Sequence, residues 1–219
     1  MLHPKTFEFL TKLGQNNNKV WFDENRKLYD DVRAELVTTI EEMITKLTVL
    51  DARIGYLAPK NCIFRINRDV RFSKNKNPYK TTMGAWFSAG AKKDMMAGYY
   101  LHIENNNSFI AAGNYMPMPD ILKKIRQEID YNGAQLLSIL NDKKFNKTFG
   151  TITNNDSLKN IPKGFEVDNV FAEYLKLKSF EVSTPYTNTQ MLSGKLSINA
   201  VADFEIANPY VNFLNTIFE

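Results

Sequence analysis

The spacing of the apolar residues changes at Pro59, and this change constrains the fold more than any other feature of the sequence. Between about residues 18 and 50, apolar side chains recur every three, four or seven positions, which is the repeat of one face of a helix. We therefore expect one long amphipathic helix near the N-terminus, packed on a core. Its apolar face comprises Trp21, Leu28, Val32, Leu36, Ile40, Met43 and Leu47.

Beyond Pro59 the spacing shortens to two. Apolar side chains at positions 64, 66, 70 and 72 alternate with polar ones at 65, 67, 69 and 71, which predicts a half-buried strand. Arg68 falls on the apolar face, so we expect the strand to end or bulge nearby, or Arg68 to be paired. The polar run that follows ends in Pro78, which predicts a loop.

Later segments complete a sheet and the helices that cover it. Residues 98–104 and 108–113 are strand-like and flank three asparagines, which predicts a hairpin, and a further strand is predicted over residues 83–89. Helices are predicted to begin at Pro119 and at Pro209, the latter with Asn208 as its N-cap, and residues 196–206 also favour a helix. We predict an α+β fold with a mostly antiparallel sheet, covered by the long N-terminal helix and by further helices.

The composition indicates the size and the setting of this fold. The 219 residues contain no linker rich in proline, glycine or serine, so one domain over residues 1–219 is predicted. The single cysteine, Cys62, lies in an apolar run and is expected to be buried, and one thiol cannot form an internal disulfide. The N-terminus does not resemble a signal peptide and no run of about 18 apolar residues occurs, which predicts a cytoplasmic protein with no membrane partner.

Positive charge is concentrated between residues 65 and 80, which we call the basic segment. It contains six of the chain's 28 lysines and arginines and one of its 24 acidic residues. The rest of the chain holds 22 basic side chains against 23 acidic ones, so the net charge of +4 comes from this segment alone. Its six cationic residues are Arg65, Arg68, Arg71, Lys74, Lys76 and Lys80.

The same segment resembles part of a known family. Residues 64–81 begin Phe-Arg-Ile-Asn-Arg-Asp and end Asn-Pro-Tyr-Lys-Thr, and they resemble the signature of a widespread family of conserved hypothetical proteins with a domain of unknown function. The resemblance covers nearly the whole chain and implies no particular reaction, cofactor or partner. Supporting matches lie at Trp21, Phe22, Asn25 and Tyr29 and over residues 98–103, 112–113 and 122–129.

The residue types of the basic segment predict recognition of a small anion that carries phosphate or carboxylate. Arginines form paired hydrogen bonds with such groups, and lysines on an adjoining loop add mobile charge. Tyr79 is expected either to anchor the loop to the core or to stack on the ligand. In the alternative interpretation the segment is a structural brace, in which Asp69 bridges Arg65 and Arg71 while the lysines are solvated.

Two further functional classes would use the same residues. An enzyme acting on an anionic substrate would transfer protons through Asp69 or His102, although a single strand histidine is more often a hydrogen-bonded structural residue. A nucleic-acid-binding protein would need a broad positive face, and the acidic remainder of the chain favours a focused site instead. No metal-ligand spacing, nucleotide-binding motif or nucleophile elbow identifies a metal or a cofactor, and the oligomeric state is not predicted.

Overall fold

The computed structural model describes residues 2–90, 95–152 and 156–219 of the chain. Within these ranges the helices are α1 Pro4–Gln15, α2 Lys19–Glu24, α3 Arg26–Leu47, α4 Pro59–Cys62, α5 Pro119–Leu140, α6 Lys143–Phe149, α7 Ala172–Leu175, α8 Asn188–Leu192 and α9 Leu196–Asn215. The strands are β1 Met83–Phe87, β2 Gly98–Ile103, β3 Ser108–Asn114 and β4 Phe180–Tyr186. Short 3-10 turns lie at Ala52–Tyr56 and Thr216–Phe218.

These strands form an antiparallel sheet in the order β1-β2-β3-β4, so strands that are consecutive in sequence are neighbours in the sheet. The predicted hairpin is confirmed, because β2 and β3 are adjacent and flank the three asparagines. In this turn Asn106 has a positive φ of 59°, a conformation that asparagine tolerates better than most residues. The strand predicted over residues 83–89 is confirmed as β1.

The α+β class is confirmed, but the prediction of one long N-terminal helix is wrong. The first helix, α1, has only 12 residues. The segment predicted as a single helix is interrupted at Asn25, where φ and ψ are −105° and 16° and the side-chain amide donates to the Trp21 carbonyl at 2.9 Å. Asparagine competes in this way for backbone hydrogen bonds, which explains why α2 ends and α3 begins here. The apolar face of α3 is buried as its spacing predicted, at Val32, Leu36, Ile40, Met43 and Leu47.

The prediction of a strand over residues 64–72 is also wrong. In the described part of the chain the backbone of these residues forms one isolated bridge, which joins Asn67 to Tyr79. Ile66 is buried, but Phe72 is 96% exposed. The physical reason lies in the partner segment, because Pro78 has no N–H group with which to continue a ladder of hydrogen bonds. Without a partner strand, residues 64–72 therefore form a loop despite their alternating apolar and polar side chains.

The C-terminal helix is present as predicted, but its predicted start at Pro209 is wrong. Helix α5 begins at Pro119 as predicted, and residues 196–206 are helical as predicted. However, α9 continues through Pro209 instead of starting there, so Asn208 is not an N-cap. Its side-chain amide donates to the Tyr99 hydroxyl at 2.9 Å.

The chain divides into two compact units. Unit 1 comprises Met1–Phe87, Tyr100–Ile110 and Pro185–Val201, and unit 2 comprises Ser88–Tyr99, Ala111–Thr184 and Ala202–Glu219. Within unit 1, α1 and α3 contribute buried apolar side chains such as Phe9 and Leu36, and Cys62 is buried as predicted. Within unit 2, aromatic rings including Phe204 and Tyr210 are buried. The basic segment belongs to unit 1, and one domain over residues 1–219 stays a prediction.

Candidate functional site

Tyr79 fixes the C-terminal end of the basic segment. Its buried ring stacks on Phe22 of α2, with the ring centres 4.1 Å apart. Asn17 holds the backbone at the same point, because its Nδ2 donates to the Tyr79 carbonyl and its Oδ1 accepts from the Tyr79 amide, both at 3.0 Å. Tyr79 therefore anchors the loop to the core of unit 1.

Arg68 closes the loop that extends from this anchor. Its guanidinium donates to the Asn77 carbonyl at 3.1 Å and to the Ser73 hydroxyl at 3.3 Å. Its backbone amide donates to the Pro78 carbonyl at 2.8 Å. Because a guanidinium carries five N–H donors, these contacts hold the group in place and still leave donors for a ligand.

Asp69 and Arg71 form a local ion pair. Arg71 Nε donates to Asp69 Oδ1 at 3.0 Å, and one terminal nitrogen donates to Oδ2 at 2.6 Å. These hydrogen bonds, with one from the Arg71 amide and the nearby charge of Arg65, lower the pKa of Asp69. Both side chains of the pair are exposed. Asp69 thus pairs with Arg71, whereas Arg65 acts on it only as a nearby charge.

The lysines of the segment lie in three different environments. Lys74 is exposed, and Lys76 donates from Nζ to the Val70 carbonyl at 3.0 Å. Lys80 is partly buried, with Nζ 5.5 Å from the centre of the Phe64 ring. Burial lowers the pKa of Lys80, and the positive charge of Arg65 lowers it further. Among these lysines Lys80 therefore has the least access to water.

A cavity of about 260 Å³ opens beside Arg68 and Lys80. These two residues supply positive charge to its lining, amide and hydroxyl side chains supply neutral hydrogen-bond donors, and the lining includes no carboxylate. Such a wall favours an anion, because charged and neutral donors can converge on its oxygens. The lining residues are Asn17, Arg68, Asn75, Asn77, Tyr79, Lys80, Thr81 and Thr82.

This cavity brings together only part of the predicted site. Of the residues predicted to bind a ligand, the lining includes Arg68, Tyr79 and Lys80. The predicted residues outside the lining are Arg65, Arg71, Lys74 and Lys76, together with the catalytic candidates Asp69 and His102. Sequence reasoning missed the amides and hydroxyls, namely Asn17, Asn75, Asn77, Thr81 and Thr82. Four of them lie within the basic segment or directly after it, and this proximity in sequence was the available signal. Asn17, in contrast, lies 62 positions before Tyr79.

A second group of polar side chains lies on the less buried face of β2. The Tyr100 hydroxyl is 3.0 Å from His102 Nδ1, and His102 Nε2 is 3.4 Å from Glu104 Oε2. Asn107 donates to the same carboxylate oxygen at 2.7 Å. The His102 ring also stacks on Phe109, with centres 4.5 Å apart. His102 is therefore hydrogen-bonded through both ring nitrogens and lies within a cluster of aromatic rings.

Burial is the main cause of the shifted pKa values of His102 and Tyr100. It lowers the pKa of His102, although the hydrogen bond and charge of Glu104 act in the opposite direction. It also raises the pKa of Tyr100 to about 12. A neutral His102 can accept from the Tyr100 hydroxyl through Nδ1 and donate to Glu104 through Nε2. Because the pKa of Tyr100 is raised and that of His102 is lowered, both groups keep their neutral forms, and the hydrogen bonds fix the orientation and the tautomer of the imidazole.

Phe64 connects this aromatic surface with the cavity. Its ring lies against Tyr100 edge to face, with centres 6.0 Å apart, and the Nζ atom of Lys80, a residue of the cavity lining, lies 5.5 Å from the centre of the Phe64 ring. Gly84 makes room for Tyr100, since a Cβ atom there would lie 2.6 Å from the Tyr100 hydroxyl oxygen. We call the surface formed by Phe64, Tyr100, His102 and Phe109 the aromatic ledge.

The described part of the chain contains neither a cluster of metal-ligand side chains nor a membrane-spanning helix. Over residues 2–90, 95–152 and 156–219, no group of three or more His, Cys, Asp and Glu side chains could hold a metal ion. Over the same ranges, no helix has both the length and the apolar character needed to cross a bilayer.

Comparison with known proteins identifies a family and no individual relative. Neither curated proteins nor solved structures gave a significant match to the chain. A family model described as "Conserved hypothetical protein (DUF2461)" matches residues 5–213, a range that includes the basic segment, the cavity lining and the aromatic ledge. The resemblance to a family of conserved hypothetical proteins is thereby confirmed, and the chain belongs to the DUF2461 family.

Proposed function

We propose that the protein binds a small anion, through phosphate or carboxylate oxygens, in the cavity beside Arg68 and Lys80. The observation that supports this proposal is the composition of the lining, which has two cationic side chains and no carboxylate. In the described part of the chain, no acidic side chain forms an ion pair with Lys80. A bound anion would replace the solvation that burial removes from this ammonium group.

The fixed position of Arg68 also favours binding. Its hydrogen bonds to Asn77 and Ser73 restrict the guanidinium before any ligand arrives. Binding then costs less side-chain entropy than it would for a freely rotating arginine. Asn17 contributes in the same way, because its amide is already held by the backbone of Tyr79.

The placement of the other cations favours a small ligand over a nucleic acid. Arg71 pairs with Asp69, and Lys76 donates to a backbone carbonyl of its own loop. Outside the basic segment the chain carries a net charge of −1. A duplex would require positive charge over a much broader face.

The proposal can be tested by titrating the isotope-labelled full-length protein with inorganic phosphate and with acetate, followed by NMR. We expect saturable shifts of the backbone amide resonances of Asn77 and of residues 79–82. Replacing Lys80 with Gln should weaken phosphate binding about tenfold, since it removes a charge-assisted contact. Lys74→Gln is the matched control, because it removes the same charge from the same segment outside the cavity, and it should weaken binding less than about twofold.

Two results would contradict the proposal. One is the absence of saturable shifts with either anion, and the other is an equal loss of affinity in the two lysine variants. A parallel titration with short single- and double-stranded oligonucleotides tests the nucleic-acid alternative. Tight binding with a steep dependence on salt would favour that alternative, because such a slope counts the counterions released along a polyanion.

A further inference from the structure

We propose that the anion bound in the cavity carries a flat aromatic or heterocyclic ring, and that this ring packs on the aromatic ledge. The inference rests on the proposed anion site and names its class of ligand, an aryl or heterocyclic phosphate or carboxylate. Three observations support it: the size of the cavity, the continuity of its wall with the ledge, and the composition of the ledge.

The cavity is small in comparison with most ligand pockets. Its volume of about 260 Å³ lies below the range of about 300–1,000 Å³ that is usual for ligand pockets. An anionic group fits inside it, whereas the remainder of a larger ligand must lie on the surface beside the opening. The character of that adjoining surface therefore determines which ligands can bind.

The wall of the cavity continues directly into the aromatic ledge. Lys80 lines the cavity and lies 5.5 Å from the centre of the Phe64 ring. Thr82 also lines the cavity, and Gly84, two positions later in the sequence, lies against the Tyr100 hydroxyl. A ligand held at Lys80 by its anionic group therefore has the Phe64 ring close by.

The rings of the ledge lie in continuous contact with one another. Phe64 and Tyr100 have centres 6.0 Å apart, and Phe109 lies 5.9 Å from Tyr100 and 4.5 Å from His102. Phe64 is 40% exposed, and the other three side chains are partly exposed. These four side chains are therefore within reach of a ligand on the less buried face of the sheet.

The composition of this surface favours a ring over an alkyl chain. Ring-on-ring contacts gain from offset-stacked and edge-to-face geometry in addition to the area that they bury. An aliphatic tail would gain more from a deep apolar groove than from a partly exposed surface of mutually tilted rings with polar edges. The edges here carry the Tyr100 hydroxyl and the Glu104 and Asn107 side chains, which can hydrogen-bond to heteroatoms of a heterocycle.

The test compares pairs of ligands that differ in the ring alone. The full-length protein is titrated with phenyl phosphate against cyclohexyl phosphate and with benzoate against cyclohexanecarboxylate, and inorganic phosphate serves as the reference. We expect the aromatic member of at least one pair to bind at least about fivefold more tightly than its saturated partner. We also expect it to shift the ring-proton resonances of His102, which inorganic phosphate should leave nearly unchanged.

Replacing Phe64 with Leu should remove most of the aromatic preference while leaving the affinity for inorganic phosphate unchanged. Phe72→Leu is the matched control, because it is the same substitution at a nearby ring that is 96% exposed and outside the ledge. If Phe64→Leu unfolds the protein, the comparison of aromatic with saturated ligands on the native protein still tests whether a ring is preferred.

The possible results separate this inference from the proposal on which it rests. If inorganic phosphate binds and the aromatic and saturated members of both pairs bind equally, the ring class is wrong and the anion site stands. An unchanged aromatic preference in a folded Phe64→Leu variant would likewise overturn the ledge as the subsite. If none of the phosphates and carboxylates binds, the anion site itself is wrong.

Discussion

The ring of Tyr79 stacks on the ring of Phe22, with their centres 4.1 Å and their planes 16° apart. Phe22 belongs to α2, so this contact ties the end of the basic segment to the N-terminal helices. Lys80 follows Tyr79 directly, and Asn17 is hydrogen-bonded to the Tyr79 backbone. The position of the proposed anion site therefore depends on a contact between aromatic rings in the core.

Replacing Tyr79 with Ala should destabilise the protein by about 3–5 kcal/mol, the usual cost of removing a buried aromatic ring. The substitution leaves a cavity beside Phe22 that the surrounding helices can only partly fill. Phe72→Ala removes a ring of similar size from the same segment at an exposed position, and it should change stability by less than about 0.5 kcal/mol. Unfolding in denaturant measures both free energies. Equal costs would show that the stack does not anchor the segment.

Gly113→Ala should destabilise the protein more strongly than Gly150→Ala. Both residues have positive φ, of 123° and 69° respectively, but a Cβ atom at Gly113 would lie 2.0 Å from the Phe180 carbonyl oxygen, whereas nothing lies within 4 Å of one at Gly150. We expect more than about 3 kcal/mol at Gly113 from backbone strain combined with the clash. At Gly150 we expect about 1–3 kcal/mol from backbone strain alone, because its φ of 69° and ψ of −128° lie in a region that other residues rarely adopt. Thermal and denaturant unfolding of the two variants would reveal the difference, and similar costs would contradict the close approach of β3 and β4.

The elements that the sequence predicted correctly are marked by local signals. Pro119 marks the start of α5, and the asparagine turn marks the hairpin of β2 and β3. The errors arise where a periodic pattern or a proline does not decide the backbone conformation by itself. At Asn25 a side-chain hydrogen bond to the preceding turn interrupts a periodic helix. At Pro209 the helix continues, although proline lacks an N–H donor, in a segment where Phe204 and Tyr210 are buried.

In the candidate site, too, the sequence predicted the residues that are close together along the chain and missed a distant one. The charge of the basic segment could be predicted because its cations are close in sequence. Asn17 could not, because it joins the cavity lining through hydrogen bonds to Tyr79, far along the chain. Phe64 was assigned to the buried side of a strand, yet it is 40% exposed and contacts Tyr100 of β2. A period-two pattern cannot show that its partner strand is missing.

The Tyr100–His102–Glu104 chain makes a prediction about pH. Because burial lowers the pKa of His102 in the folded protein, the neutral form is favoured there. The stability linked to His102 is therefore fully present above its unfolded pKa of about 6.5 and decreases as the pH falls toward the folded value. Glu104→Gln should lower the pKa of His102 further, since the carboxylate raises it at present.

The pKa of His102 and its change in Glu104→Gln can be measured by NMR from the imidazole resonances. The chain has only two histidines, so the His3→Gln variant identifies which resonances belong to His102. Tyr100→Phe removes the hydroxyl contact to Nδ1 and keeps the ring, so it serves as the comparison for the loss of charge at Glu104. A His102 pKa that rises in Glu104→Gln would contradict the proposed interaction between the two side chains.

Asp69→Asn distinguishes a ligand site from a structural brace. The Asp69–Arg71 pair is exposed and solvated, and exposed pairs of this kind contribute little to stability. Because removing a negative charge from the loop beside the cavity favours anions, we expect the affinity for inorganic phosphate to rise about twofold at low salt with little change in melting temperature. Asp31→Asn, at an exposed position on α3, is the matched control for the change in net charge. A large drop in melting temperature with an unchanged phosphate titration would show that the pair is a brace.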